Sequence, residues 1–211
     1  MNQSFTWEVV LVDDGSFDNT AGVPSLIFAD GEMTVLRNPI NRGKGYSVRQ
    51  GILASRGELV LISDADFSTP IKEWSKLYDT IRQGYDIAIG SRSLAESNVT
   101  IRQAWYREGM GRIFNIFVQS LLLRGFIDTQ CGFKCFHREA VLPFLNKLKI
   151  DRFSFDVEFL FVAQKYGLRI KEVPVEWKNV LFSRVRIIRD SVRMLYDLFK
   201  IRINSMNGAY D

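Results

Sequence analysis

The sequence has few of the residues that build metal clusters or disulfide frameworks. It contains two cysteines, Cys131 and Cys135, and a single histidine, His137. A zinc site built from these three residues would lack a fourth ligand and the usual spacing. Cysteines four residues apart are also poorly placed to form a disulfide. We therefore expect two reduced thiols, as in proteins of the cytosol.

Long apolar runs and a strong net charge are also missing. The sequence has no uninterrupted run of 18 apolar residues and no signal-peptide pattern, so it predicts neither a membrane-spanning helix nor secretion. The nearest candidate, residues 113–123, is interrupted by Asn115, Gln119 and Ser120. This segment predicts a helix that either packs in the core or lies at an interface.

The positive charge is concentrated near the C-terminus. Residues 184–202 carry six basic and two acidic residues, a net charge of +4 that equals that of the whole chain. This segment is predicted to form an amphipathic helix. It either lies on an anionic membrane surface or packs on the domain with a solvated basic face. Its predicted apolar stripe, spaced by three and four residues, comprises Val185, Ile188, Val192, Leu195 and Phe199.

The remainder of the chain alternates between strand and helix patterns, which predicts an α/β fold with a largely parallel sheet. We expect one domain over residues 1–180 and a basic amphipathic segment over residues 181–211. Thr69 and Pro70 are expected to open a helix that ends near Gln83, with Thr69 as its N-cap. The predicted strands cover residues 7–12, 33–36, 59–63, 86–90, 132–136 and 168–175, and the predicted helices cover residues 45–55, 69–83, 102–124, 138–148 and 155–166.

Carboxylates follow two of the predicted strands. Asp64 and Asp66 come directly after residues 59–63, and Asp13 and Asp14 follow the first strand. Acidic groups at the end of a buried strand are costly unless a cation or hydrogen-bond donors meet them. Ligands of open α/β sheets bind outside the carboxyl ends of the strands. Because paired carboxylates suit Mg²⁺ or Mn²⁺, the pattern favours a site for a metal and a nucleotide.

Several further motifs occur in a characteristic order. They are NRGKGYSVRQG from residue 41, DADFSTP from residue 64, GSR from residue 90 and DTQCGFKCF from residue 128. In this order the sequence resembles the family 2 glycosyltransferases, and within them the polyprenyl-phosphate hexosyltransferases of the dolichyl-phosphate β-glucosyltransferase type.

The resemblance implies a GT-A (nucleotide-diphospho-sugar transferase) fold, with a mostly parallel mixed sheet flanked by helices and a C-terminal amphipathic helix. It implies inverting transfer of a hexose, glucose by likeness, from a UDP-sugar to a polyprenyl (dolichyl-type) phosphate, with Mg²⁺ or Mn²⁺ as cofactor. We expect attachment to the cytoplasmic face of a membrane, the endoplasmic reticulum in a eukaryote or the plasma membrane in a prokaryote. No nucleic-acid partner is expected.

The same resemblance assigns roles on the donor side. Asp64 and Asp66 are expected to hold the metal, and Asp64 also to contact the nucleotide-sugar. Asp13 and Asp14 are expected to hydrogen-bond the uridine. Lys44 is expected near the diphosphate, with a solvated surface lysine as the alternative.

On the acceptor side, Arg92 is expected to clamp the acceptor phosphate together with Arg107 or Arg102. This phosphate is already ionised at neutral pH, so it needs positioning more than a general base. Asp128 is the candidate for any residual base or orienting role, with a loop cap as the alternative. Asp156 and Glu158 (in the segment FDVE) either line the site or anchor the sheet.

One departure from the family pattern leaves alternatives open. The family begins with an earlier strand that ends in a Pro-x-x-Asn-Glu loop, and this first β-α unit is not found in the sequence. A non-catalytic remnant that binds nucleotide-sugar poorly therefore stays open beside the lipid-phosphate interpretation. Transfer to a saccharide or protein acceptor is a separate alternative, which keeps the fold and changes the acceptor.

Overall fold

The computed structural model describes residues 6–22, 33–101, 105–179 and 187–211. Strands and helices alternate along most of the chain, as the sequence predicts. The strands are β1 (Val9–Asp13), β2 (Met33–Arg37), β3 (Leu59–Ser63), β4 (Ile87–Ser91), β5 (Asn98–Ile101), β6 (Phe133–His137), β7 (Ile170–Pro174) and β8 (Glu176–Lys178). The α-helices are α1 (Lys44–Ala54), α2 (Trp74–Arg82), α3 (Trp105–Leu121), α4 (Arg138–Leu145), α5 (Phe155–Lys165) and α6 (Ile187–Met206).

Within the described residues, the strands form one sheet of four and two sheets of two. The four-stranded sheet has the order β3-β6-β4-β7, while β1 pairs with β2 and β5 with β8. Strand β6 runs antiparallel to both of its neighbours, and the other three pairings are parallel. Because β3 and β4 both oppose β6, they run in the same direction and their carboxyl ends lie at the same edge.

The four-stranded sheet is covered on both faces. Alternate residues of a strand point to opposite faces. On β6, Phe133 and Cys135 contribute to a core cluster with Leu77 and Ile81 of α2. Phe136 belongs to the larger cluster, which also contains buried side chains of α3, α4, α5 and α6. This arrangement is a three-layer α/β architecture.

An aromatic group fills the centre of the larger cluster. Phe159 of α5 lies 5.4–5.8 Å, centroid to centroid, from the rings of Phe136, Phe144 and Phe155. These four side chains are fully buried. Burying one large apolar side chain contributes about 1.5–3 kcal/mol before the entropy cost of ordering it. The group therefore fixes α5, whose first turn reaches the site described below.

Several sequence predictions are corrected by the fold. Thr69 is not a helix cap, because an intervening 3-10 turn (Ile71–Glu73) precedes α2 and has Pro70 at its N-cap position. The Thr69 side chain is buried, with its hydroxyl 4.0 Å from Cys131 Sγ. The short strands β5 and β8 were not predicted. The predicted helix over residues 102–124 is observed as α3, and residues 102–104 lie outside the described residues.

Helix α6 packs a different set of apolar residues against the core from the stripe that the sequence predicts. Its buried face includes Leu198 and Ile201, and Leu195 also packs against the core. The predicted stripe is therefore split, since Val192 and Phe199 are exposed. Val185 lies outside the described residues, and the side chain of Ile188 is not described. A second apolar stripe with helical spacing faces outward and comprises Val192, Tyr196, Phe199, Ile203 and Met206.

No helix in the described part of the chain is long and apolar enough to cross a membrane. Both cysteines are free and buried. Burial raises the pKa of the Cys131 thiol and raises that of Cys135 to about 12.

Candidate functional site

The ends of β1, β3 and β4 carry the polar residues singled out from the sequence. Asp13 is the last residue of β1, Asp64 follows β3 and Arg92 follows β4. The Glu8 carboxylate, just before β1, accepts hydrogen bonds from the backbone N–H groups of Arg56 and Gly57, just before β3. The starts of β1 and β3 are thereby tied together, and residues at the ends of both strands, Asp13 and Ala65 among them, line one cavity.

Asp64 and Asp66 lie on a tight turn after β3. The Phe67 N–H donates to the Asp64 carbonyl (3.1 Å), and Phe67 has a positive φ of 50°. The Asp66 carboxylate accepts the Ser68 N–H at 2.9 Å and is otherwise exposed. Both aspartates line a recess of about 10 Å³, which has room for about one water molecule. The turn therefore presents two carboxylates at the surface beside a small polar pocket.

Gly132 brings a second loop against Asp64. The Asp64 N–H donates to the Gly132 carbonyl at 3.1 Å. A Cβ atom added to Gly132 would lie 1.9 Å from Asp64 Oδ2. Only a glycine at this position leaves the Asp64 carboxylate where it is, so the loop that precedes β6 forms one wall of the site.

Lys44, the first residue of α1, is not a solvated surface lysine. Its Nζ lies 3.1 Å from Asp64 Oδ1 and 3.4 Å from Asp156 Oδ2, and only 22% of its side chain is exposed. Burial disfavours the charged form of Lys44, but the carboxylates of Asp156 and Asp64 outweigh this effect and raise its pKa. Lys44 is therefore a fixed cation beside Asp64.

Asp14 organises the loop before α1. Its carboxylate accepts hydrogen bonds from Asn38 Nδ2 (2.8 Å), the Arg42 N–H (2.9 Å) and the Gly43 N–H (2.8 Å). Gly15 approaches this loop so closely that an added Cβ would lie 2.6 Å from the Ile40 carbonyl carbon, and its φ is +73°. The first role of Asp14 in this structure is thus to hold two loops together.

Asp13 is buried and lines a larger cavity. Its Oδ1 accepts the Ser16 N–H at 3.0 Å, and its Oδ2 lies 3.3 Å from Arg37 Nε without forming a well-directed hydrogen bond. The cavity has a volume of about 480 Å³, within the range of small-molecule sites. It also contacts Asp14 and Ala65, so it opens beside the Asp64–Asp66 turn.

Arg92 and Asp128 form a buried, bidentate ion pair. Arg92 Nε lies 2.7 Å from Asp128 Oδ2 and Arg92 Nη2 lies 2.8 Å from Oδ1, while the Arg92 N–H donates to Oδ2 at 2.9 Å. Burial disfavours the Asp128 carboxylate, but Arg92 outweighs it and holds the pKa of Asp128 below its ordinary value. Such a carboxylate is a weak base, so the geometry favours the orienting role over proton transfer.

Two residues that sequence reasoning missed support this pair. Glu172 of β7 accepts the N–H groups of Ile127 and Asp128 at 2.8 Å each. The Arg92 guanidinium lies 5.5 Å from the centre of the Trp177 ring. The predicted partner Arg107 lies on α3, but its side chain is not described, and Arg102 lies outside the described residues.

Asp156 and Glu158, which the sequence left undecided, have separate roles. Asp156 faces Lys44 as described, whereas the buried Glu158 accepts the N–H groups of Lys149 and Ile150 and the hydroxyl of Tyr210. Burial raises the pKa of Glu158. Glu158 therefore anchors a loop and the C-terminal residues, and Asp156 belongs to the site.

The donor atoms at the β3 turn suit a metal that arrives with phosphate. Among the described residues, no group of three or more His, Cys, Asp or Glu side chains could hold a metal ion. Asp64 and Asp66 offer two carboxylates, and Mg²⁺ is commonly bound by one or two carboxylates together with substrate phosphates. The Lys44 ammonium beside Asp64 indicates that a positive charge is accommodated there.

The chain is similar to known proteins over nearly its full length. It is 36% identical to a dolichyl-phosphate β-glucosyltransferase of Dictyostelium discoideum over 98% of its length, and 35% identical to the human protein of that name over 98%. It spans 65% and 67% of the length of these two relatives, about two thirds of each.

Solved structures share the fold at low sequence identity. Mannosyl-3-phosphoglycerate synthase from Rubrobacter xylanophilus matches with a TM-score of 0.66 and 22% identity, over 95% of this chain and 64% of that one. Glucosyl-3-phosphoglycerate synthase from Mycobacterium tuberculosis, solved with Mn²⁺ and UDP-glucose, matches with a TM-score of 0.60 and 16% identity, over 93% of this chain and 66% of that one. These likenesses establish the GT-A fold.

A family model identifies the group as a whole. The model described as "Glycosyl transferase family 2" matches residues 1–142, which include both aspartate motifs, Lys44, Arg92 and Asp128. This match and the identity to the relatives confirm the resemblance seen in the motifs, and the chain belongs to glycosyl transferase family 2.

Proposed function

We propose that the chain transfers a hexose, glucose by likeness, from a UDP-sugar to a polyprenyl phosphate of the dolichyl type, with inversion at the anomeric carbon. The observation that carries this proposal is the arrangement at one edge of the fold. The Asp64 carboxylate, the Lys44 ammonium and the 480 Å³ cavity lie together, and Arg92 follows a strand that ends at the same edge. The names of the relatives support the choice of reaction.

The cavity next to Asp13 and Asp14 is the proposed donor site. A buried carboxylate oxygen such as Asp13 Oδ2, which has no hydrogen-bond partner among the described residues, can accept from the uracil imide or a ribose hydroxyl. Asp14 is already engaged by three donors, so its contribution to uridine is confined to the lone pairs they leave free. Recognition of the nucleoside is therefore assigned mainly to Asp13.

Asp64 and Asp66 are the residues proposed to hold Mg²⁺ or Mn²⁺ together with the donor phosphates. The bound ion would act as a Lewis acid for the departing diphosphate. Lys44 adds a fixed positive charge on the same side of the sheet edge. Preorganised charges of this kind stabilise the negative charge that develops on a leaving group.

Arg92 is proposed to orient the acceptor phosphate. Asp128 uses the Nε and Nη2 donors of Arg92, which leaves further N–H donors of the guanidinium for a phosphate oxygen. Trp177 and Asp128 fix the guanidinium plane, so little entropy is lost when phosphate binds. Because an ionised phosphate is already a nucleophile, positioning is the larger demand.

An exposed apolar surface supports a lipid acceptor and a membrane location. The outward stripe of α6 includes Tyr196 and Met206, which are 68% and 74% exposed, and Ile113 and Ile116 of α3 are also exposed. Helices α3 and α6 contact each other. Basic side chains accompany this surface, and each contributes about 1 kcal/mol of attraction to an anionic leaflet. The exposed basic residues are Arg112, Arg189, Arg193, Lys200 and Arg202.

Liposome co-sedimentation tests the membrane proposal. Replacement of Arg186, Arg189 and Arg193 by Glu is expected to abolish binding to anionic vesicles, and Phe199→Ser with Ile203→Ser is expected to weaken it. Lys165→Glu, on α5, is the matched control and should bind as the wild type does. Unchanged sedimentation of the triple variant would refute peripheral attachment through α6.

A thermal-shift experiment tests the donor proposal. UDP-glucose with Mn²⁺ is expected to raise the melting temperature of the wild type, because a ligand that binds only the folded state stabilises it. Asp66→Ala should lose the part of the shift that depends on Mn²⁺. The absence of a shift with every nucleotide tested would favour the alternative of a non-catalytic family member.

A further inference from the structure

A chain of alternating charges runs from the core to the candidate metal site. Lys134, in the middle of β6, is fully buried, and its Nζ lies 2.6 Å from Asp156 Oδ1. Its ammonium also donates to the Cys131 carbonyl. Asp156, in the first turn of α5, is 3% exposed and reaches Lys44 with its other oxygen. Lys44 in turn reaches Asp64, so four side chains are connected in sequence.

The chain of charges is electrically balanced before any ligand binds. Lys134 and Lys44 are cationic, and Asp156 and Asp64 are anionic. Burying an unpaired ammonium or carboxylate is costly, whereas a paired and hydrogen-bonded one is tolerated. Among the described residues, Asp156 supplies the only carboxylate that pairs with Lys134, so this pair forms the fixed, buried end. Asp64, whose side chain is 44% exposed, forms the end open to solvent.

Helix geometry makes Asp156 a better fixed anion than Asp64. Negative charge is favoured in the first turn of a helix, where Asp156 lies on α5. Positive charge is disfavoured in the first turn of a helix, and Lys44 lies in the first turn of α1. Lys44 is therefore held in place by its carboxylate partners rather than by its own helix. Burial opposes the Asp156 charge, but Lys134 and Lys44 outweigh it and lower the pKa of Asp156.

We propose that Asp156, backed by Lys134, is a positioning residue that holds Lys44 as an exchangeable counter-ion of Asp64. Before a ligand binds, the Lys44 ammonium neutralises Asp64. When a divalent cation takes the Asp64 carboxylate, Lys44 stays tethered to Asp156 and turns its charge to the donor diphosphate. This inference rests on the proposed function, because it names the device that prepares that same site.

The exchange predicts effects of opposite sign on metal and donor. Lys44 competes with a divalent cation for Asp64, so Lys44→Met should bind Mn²⁺ alone more tightly. The same variant loses a cation beside the diphosphate, so it should bind UDP-glucose more weakly in the presence of saturating Mn²⁺. We expect the Mn²⁺ affinity to rise and the UDP-glucose affinity to fall by about fivefold each, the size of effect expected for one partly exposed ion pair. A residue with a merely structural role would weaken both.

A second variant addresses Asp156 itself. Asp156→Asn combined with Lys134→Met removes both buried charges, so no unpaired ammonium is left in the core. Lys44 then has only Asp64 as a partner, and Mn²⁺ alone should bind about fivefold more weakly than to the wild type. Adding Lys44→Met to this double variant should restore tight Mn²⁺ binding, because the competing cation is gone.

Two titrations of the full chain test the proposal. Free Mn²⁺ is measured by electron paramagnetic resonance without nucleotide, and UDP-glucose binding is measured by calorimetry at saturating Mn²⁺. Lys165→Met, whose ammonium pairs with Asp211, is the matched control and should leave both affinities unchanged. Urea denaturation of each variant establishes that it is folded before its affinities are compared.

The outcomes separate this inference from the proposed function. Opposite changes in Lys44→Met, together with the rescue in the triple variant, support the exchange. Weaker or unchanged Mn²⁺ binding in Lys44→Met overturns it, even if the wild type transfers glucose to lipid phosphate. Conversely, opposite changes in a protein that binds donor and metal but transfers no sugar to a polyprenyl phosphate would support the exchange and refute the proposed acceptor.

Discussion

Gly132→Ala is the substitution expected to disturb the candidate site most while leaving the fold intact. The added Cβ would lie 1.9 Å from Asp64 Oδ2 and 2.3 Å from its Cγ. Real Cβ atoms essentially never approach another heavy atom closer than 3.0 Å, so Oδ2 must move by about 1.1 Å. The clashing atoms belong to a half-exposed side chain that can rotate toward solvent. The carboxylate, rather than the backbone, is therefore expected to give way.

The predicted consequences differ greatly between stability and function. Loss of the Asp64–Lys44 contact costs little in a half-exposed pair, and replacing Gly stabilises through the unfolded chain, so the free energy of unfolding should change by less than about 1 kcal/mol. A displacement of about 1 Å in a catalytic group can lower the rate about 100-fold. Sugar transfer should therefore fall by about two orders of magnitude, with weaker Mn²⁺ binding.

The assay compares urea denaturation, Mn²⁺ titration and initial transfer rates for three proteins. Gly111→Ala on α3 is the matched control, because a Cβ there meets no atom of the described residues within 4 Å. It should be as active as the wild type and slightly more stable, since Ala favours a helix over Gly. Wild-type Mn²⁺ affinity and rate in Gly132→Ala would refute the placement of Asp64. A loss of stability above about 3 kcal/mol would show that the backbone shifts instead.

Two other predictions concern stability. Asp128→Asn leaves the Arg92 guanidinium without its ion pair and should cost about 3 kcal/mol at neutral pH, the lower end for a buried pair because 30% of Arg92 is exposed. Because the pKa of Asp128 is lowered in the fold, its stabilisation is complete above the unfolded value near 3.8 and is lost as the pH falls through the folded value. Urea denaturation at several pH values should therefore give a constant gap between variant and wild type above pH ~5 that narrows in acid, and a gap independent of pH would contradict this. Tyr210→Phe removes a 2.6 Å hydrogen bond to the Glu158 carboxylate and should cost about 1.5–3 kcal/mol in thermal denaturation, whereas Tyr196→Phe, at an exposed position, should not.

The elements that carry the site could be predicted because their signals are local. The strand over residues 59–63 was predicted with its observed bounds, since a short apolar run followed by Asp64 and Asp66 marks both its core and its end. Gly167, at a φ of +75° just after α5, is a similarly local signal, because glycine adopts this left-handed conformation at helix ends more readily than other residues. The roles of the site residues stay predictions until binding and activity are measured.

Features set by tertiary contacts were predicted poorly. Strands β5 and β8 are four and three residues long, and such short alternating runs (NVTI and EWK) do not identify a strand without its pairing partner. Thr69 and Pro70 have the signature of a helix start, yet the Thr69 hydroxyl turns toward Cys131 in the core. Periodicity identified α6 as amphipathic, but it could not indicate which of its two apolar faces packs inward.

One feature of the sequence could have revealed the charge network at the site. Lys134 lies in the largely apolar segment FKCFH, which predicts a strand in a sheet covered on both faces. A lysine buried in such a strand requires an anionic partner. The partner, Asp156, is distant in sequence, so the sequence could indicate that such a carboxylate exists but not which one it is. The same holds for Glu172, whose contact with the backbone at Asp128 depends on the pairing of β7 with β4.

Transfer of radiolabelled glucose from UDP-glucose to a short-chain polyprenyl phosphate in detergent tests the central claim most directly. We predict Mn²⁺- or Mg²⁺-dependent formation of a β-linked glycolipid by the wild type, and loss of that product in both Asp66→Ala and Arg92→Ala. Product formation that persists without divalent cations or in Asp66→Ala, or transfer to a saccharide acceptor in place of the lipid phosphate, would contradict the account.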